Sequence, residues 1–180
     1  MNENKILQFE YIIHQLIGWY RQVVPNADKL IPSHFTRLAS LKLLFFVSAV
    51  KDLSNNEHDL LDTFNKYRAM QYGPVEVEVY SAMVLKKTAF YQFGNRELQI
   101  SHETPDFTQL SDFERQAIDN AIKTLRSLNP NIVRLSASRL VDITHKWRSW
   151  QNAMTMGEML GRDYDNMPIE TIRTDKQFYE

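Results

Sequence analysis

Ile6, Phe9, Ile13, Leu16, Ile17, Tyr20 and Val24 recur at steps of three and four, which predicts an amphipathic helix from about Glu3 to Val23 that Pro25 stops. "PNADKLIPS" reads as a loop, with Ser33 placed to cap a second helix from about His34 to Lys51. Within that helix "LKLLFFVSAV" is apolar nearly all round, the pattern of a central helix buried on most sides. "DLSNNEHD" reads as a polar connection, after which Leu60, Leu61, Phe64, Tyr67 and Arg68 return to helical spacing. The pattern then changes period. In "KTAFYQFGNRELQIS", Thr88, Phe90 and Gln92 alternate with Ala89, Tyr91 and Phe93, predicting a β-hairpin over about 88–101 with a two-residue Gly94-Asn95 turn. An isolated hairpin is marginal in water, so this one must pack against helices.

The strongest helical signal follows. Ser111 and Glu114 are spaced as a capping box, and Ala117, Ile118, Ala121, Ile122, Leu125 and Leu128 make one apolar stripe that ends at Asn129-Pro130. A further helix is predicted from about Ser138 to Ala153, with Leu140, Ile143, Trp147 and Trp150 on one side. A short helix from about Pro168 to Phe178 closes the chain. The pattern implies one compact, mainly α domain over residues 1–180, carrying one small hairpin.

"YRAMQYGPVEVEVYSAM", from Tyr67 to Met83, supports two readings. Val75, Val77 and Val79 alternate with Glu76 and Glu78 as in a strand. Pro74 followed by glutamates equally suits the first turn of a helix, where a missing N–H is harmless and acids favour the dipole. The helical reading is preferred: Val75, Val79, Ala82 and Met83 then share a face, whereas a strand leaves "SAMVLKK" without alternation.

Composition narrows the function classes. With 43% hydrophobic and 24% charged residues, the 180-residue chain can bury a core without disulfide or metal. It has no cysteine, which excludes thiolate zinc sites. No signal peptide or membrane-length apolar run is visible, so a soluble cytoplasmic protein is expected. The net charge of −1 divides into seven Lys/Arg against four Asp/Glu over 111–150, three against six over 151–180 and eleven against twelve over the rest. That balance argues against a protein whose task is to hold phosphates. No nucleophile elbow, phosphate loop or dinucleotide fingerprint occurs, and no two of the five histidines share metal-ligand spacing on a helix, so no enzyme, metal or cofactor is expected.

Three blocks in order resemble the Panacea domain, the family of SocA-like antitoxins from bacterial and phage toxin–antitoxin pairs. "LKLLFFVSAV" is similar to that family's Lys-Leu-Leu-Tyr-Phe helix, with Phe45 where tyrosine is common. "YRAMQYGPVEVEVYSAM" is similar to its Ala-x-x-Tyr-Gly-Pro-Val block. "LSDFERQAIDNAIKTLRSL" followed by "LSASRLVDITHKWRSW" is similar to its acidic helix and Thr-His-x-x-x-Trp segment. The resemblance covers about 36–152, leaving 1–35 as an N-terminal helical extension and 153–180 as a tail with a short helix. It implies a protein that neutralises a toxin encoded beside it by direct complex formation, in some relatives as an adaptor to a Clp-type protease. It also implies that Tyr72, Gly73, Pro74, Val75 and Tyr80 build a structural turn, with Tyr72 and Tyr80 packed around it. Thr144, His145 and Trp147 are then expected to be structural, the imidazole bonding a backbone carbonyl beside the turn or the hairpin.

Aromatic and large apolar side chains outside the shared blocks are the candidate toxin anchors: Trp19 and Tyr20 on the first helix, and Ile172, Phe178 and Tyr179 in the tail. If the tail carries anchors, removing the residues after Asp165 should abolish neutralisation without unfolding the domain. The competing class is a DNA-binding autorepressor, for which Arg134, Arg139, Lys146 and Arg148 would supply a basic patch around Trp147 and Trp150. A phage-encoded protein aimed at a host factor is a third expectation.

Overall fold

A computed structural model describes residues 2–51 and 59–180, so most of the "DLSNNEHD" connection lies outside the described residues. The long helix α1 (Glu3–Val23) is capped by the Asn2 side chain, which accepts from the Lys5 amide. A short helix α2 (Ala27–His34) follows where a loop was expected. Its eight residues hold too few apolar positions to show a period, and Pro25 and Pro32 both read as breakers. α3 (Arg37–Ala49) is capped by Thr36 rather than Ser33. It is the central element: every residue from Ala39 to Ala49 is buried, against α1, α4 (Leu60–Thr63), α6 (Asp112–Leu128) and α7 (Ala137–Thr144).

The disputed segment is a strand pair followed by a helix. β1 (Tyr67–Met70) pairs antiparallel with β2 (Gly73–Glu76), Met70 opposite Gly73, leaving Gln71-Tyr72 as the turn. α5 (Val77–Val84) begins three residues later than Pro74. Glu76 decides the switch, because its carboxylate accepts from the Val79 amide at 2.8 Å and caps the helix there. Tyr67 and Arg68 are therefore strand residues, not the end of a helix. β5 (Asp165–Met167) adds to the other edge of β1, completing a three-stranded sheet that periodicity does not reveal.

The expected hairpin is present as β3 (Tyr91–Phe93) and β4 (Leu98–Ile100), closed by the four residues Gly94 to Glu97 rather than by two. Glu10 of α1 holds its start: the buried carboxylate accepts from the Ala89, Phe90 and Tyr91 amides at 2.7–3.1 Å. α6 has the anticipated capping box. The helix expected over 138–153 is broken into α7 and α8 (Arg148–Met159). α9 (Ile169–Thr174) ends well before Phe178, and the last residues run extended. Among the described residues no single helix is long and apolar enough to cross a membrane.

Candidate functional site

The three sequence blocks meet at one buried joint. Lys42, the one charged residue in the apolar run of α3, is fully buried and donates from Nζ to the Pro74 carbonyl at 2.6 Å. Gly73 has φ +91°, a conformation that L side chains rarely adopt. It is also a point of close approach: a Cβ placed there would lie 2.3 Å from Thr144 Oγ1 and 3.2 Å from Lys42 Nζ. Thr144 is fully buried and returns its hydroxyl to the Val141 carbonyl at 2.7 Å. His145 lies flat on Trp150, with ring centroids 3.9 Å apart, and Trp150 Nε1 donates to the Met70 carbonyl at 3.0 Å. The turn is thus tied to α3 by a lysine and to α8 by a tryptophan, and it packs closely on Thr144 of α7.

Burial sets the electrostatics of the joint. Desolvation pushes the Lys42 ammonium down to about 7, since one carbonyl cannot replace the lost water. His145 is also pushed down, first by burial and then by the Lys42 charge, with the Gln71 backbone and Asp142 pulling the other way. Beside the joint, Trp147 is fully buried, edge-on to Phe45 at 4.9 Å, and donates from Nε1 to the Phe178 carbonyl at 3.0 Å. Among the described residues no three His, Asp or Glu side chains gather as a metal site.

The sequence-predicted residues divide sharply. Gly73, Pro74, Val75, Thr144 and Trp147 are buried and His145 is half-buried. Tyr72 is 60% exposed at the turn tip and Tyr80 38% exposed on the outer side of α5, under the Arg37 guanidinium. Neither packs around the turn as expected: Tyr72 stands at its two-residue tip, and Tyr80 lies beyond it on α5. The five anchor candidates point inward. Tyr20 stacks on His34 at 4.4 Å, so the unforeseen α2 covers it. Trp19 is covered by α6, with Arg126 5.7 Å over its ring. Ile172 is fully buried, Tyr179 sits between Phe46 and Trp147, and Phe178 is half-buried.

Lys42 and Trp150 are the members of the joint that the sequence pattern did not connect with the turn. The signal for the first was available: a lysine inside an all-round apolar helix must find an acceptor. The family model described as "Antitoxin SocA-like, Panacea domain" matches residues 41–151, which contain every member of the joint. No curated protein matches the chain, and no solved structure does.

Proposed function

The chain belongs to the SocA-like antitoxins of the Panacea-domain family, and on that premise we propose that it neutralises a toxin encoded beside it by forming a direct protein–protein complex. The observation that carries the reading is the match over 41–151, together with where the matched motifs sit. Lys42, Gly73, Pro74 and Thr144 are sealed inside the molecule, where they can hold a fold but cannot reach a substrate. Their work is to fix the β1–β2 turn against α3 and α7, leaving the outer surface free to vary with the partner. A stable complex would need about 1,600 Å² of interface with a few anchoring side chains. Handing the toxin to a Clp-type protease is the second route by which the same complex would act.

Growth of a bacterium expressing the neighbouring reading frame, with and without this protein, tests the proposal. The expected outcome is arrest, rescued on co-expression, with the two proteins co-purifying. Rescue with rapid loss of the toxin in cells would favour the protease route. A harmless neighbour, or arrest that persists, would overturn the antitoxin reading. A DNA affinity that falls steeply with salt would instead support the autorepressor, whose residues Arg134, Arg139, Lys146 and Arg148 are exposed.

A further inference from the structure

Residues 176–180 are held the way a domain holds a bound peptide. The Asp175 amide still bonds to the Ile172 carbonyl, but beyond it no backbone N–H pairs with another backbone group among the described residues. The segment runs extended, and side chains grip it instead. Three successive main-chain oxygens accept from three different side chains: Phe178 from Trp147 Nε1 at 3.0 Å, Tyr179 from Asn129 Nδ2 at 2.5 Å and Glu180 from Lys146 Nζ at 2.6 Å. Two side chains of the segment are gripped as well. The buried Tyr179 ring lies 6.1 Å from Phe46 and 6.0 Å from Trp147, and Gln177 donates to the Ala49 carbonyl at 2.7 Å. That carbonyl closes α3 and has no partner within its own helix. The Tyr179 hydroxyl donates to Gln177 Oε1 at 2.9 Å, which joins the two points.

Chain before this segment is tied in differently: β5 pairs with β1, Ile172 is fully buried and Asp175 caps α8. The change from structural to ligand-like chain therefore falls after Asp175. Every residue that grips the segment, Phe46, Ala49, Asn129, Lys146 and Trp147, lies inside the family match, while the segment itself lies outside it. A groove belonging to the shared domain is thus filled by chain that does not. Its donors are aimed at main-chain oxygens, which any extended segment carries, so covalent attachment is no requirement of the fit. We propose that this groove, at the ends of α3 and α6 and the α7–α8 break, is a peptide-binding site. Residues 176–180 are its displaceable resident, and the partner protein docks by an extended segment of the same chemistry, a side-chain amide followed two residues on by an aromatic ring. That the partner is a toxin rests on the antitoxin reading; the chemistry of the groove does not.

Full-length protein labelled with ¹⁵N shows the indole N–H of each of the three tryptophans, and Trp19→Phe and Trp150→Phe leave Trp147 assigned by elimination. Release of the segment frees that indole without unfolding the core. Corrected for intrinsic rates, it should exchange with deuterium at least about tenfold faster than the Phe45 and Phe46 amides of α3. Exchange no faster than those amides would make the segment part of the core and overturn the proposal, and this measurement needs no variant. Tyr179→Ala then empties the aromatic position in the full chain. Acetyl-Asp-Lys-Gln-Phe-Tyr-Glu-amide added in trans should return the Trp147 signal saturably toward its parent position, and the same peptide with Ala for Tyr should not. No return in a Tyr179→Ala protein that still unfolds cooperatively would overturn the groove. With its own segment weakened as a competitor, Tyr179→Ala should bind the purified product of the neighbouring reading frame at least about tenfold more tightly than the parent. Equal binding to both would overturn docking in the groove and leave the antitoxin reading intact. If that product binds neither protein, the antitoxin reading falls, and exchange and peptide decide the groove.

Discussion

At Gly73 two requirements coincide, a left-handed backbone and a neighbour too close for a methyl group. Gly73→Ala should therefore destabilise the protein by roughly 2–5 kcal/mol, the sum of backbone strain and overpacking against Thr144. Urea denaturation checks it, and an unchanged midpoint would show that the joint yields easily. Lys42 leads to a pH prediction. Its pKa falls from 10.5 when unfolded to about 7 when folded, so between those values the unfolded chain holds the extra proton. The penalty of burying the ammonium is complete below pH 7 and absent above 10.5, so stability rises with pH across that window. The parent should gain on Lys42→Met by up to about 1.4 kcal/mol per pH unit. Unfolding of both proteins at about pH 7.5, 8.5 and 9.5, below ordinary tyrosine ionisation, measures the difference. A constant difference would mean that Lys42 does not titrate in this range. The family resemblance implied a turn at this place, where the local pattern preferred a helix start, and neither revealed its meeting with Lys42 and Thr144. Those contacts join positions far apart in the chain, and local pattern carries no information about them.

Among elements, those legible in the sequence carry their own signals. α1 and α6 have long apolar stripes, and Ser111 and Glu114 satisfy each other's backbone amides locally. The β3–β4 alternation likewise needs no distant partner. The elements that escaped notice are decided from elsewhere. β1 and β5 are short strands that pair across the chain, and at the α7–α8 break Trp147 and Ser149 bond to the tail. Trp147 stands at the N-cap of α8 without a side-chain cap, and Asp175 supplies the acceptor instead, taking the Ser149 amide at 2.6 Å. Asp175→Ala should cost about 1–2 kcal/mol, the usual loss on removing a helix cap, while Asp175→Asn should recover most of it. Thermal or urea unfolding of the pair discriminates a capping role from one of charge alone.

The whole molecule is less divisible than its motifs suggest. The family match begins at residue 41, yet Phe9, Ile12, Ile13 and Leu16 of α1 belong to the same buried core as Phe45, Phe46 and Leu125. The tail enters that core as well. Met167, Ile172 and Tyr179 are buried, Gln177 donates to the Ala49 carbonyl at 2.7 Å, and Arg173 pairs with Asp59 at 2.6 Å. Removing the residues after Asp165 would open the edge of β1, uncap α8 and expose the Trp147 face together. The expectation that such a truncation leaves a folded domain is therefore replaced by its opposite: cooperative unfolding should be lost or its midpoint should fall far below that of the full chain. Loss of neutralisation in the truncated protein would then report on folding and say nothing about docking. A truncated protein that still melts in one sharp transition would return the tail to the list of docking surfaces, and Phe178, half-buried beneath Lys176, would be the first side chain to replace.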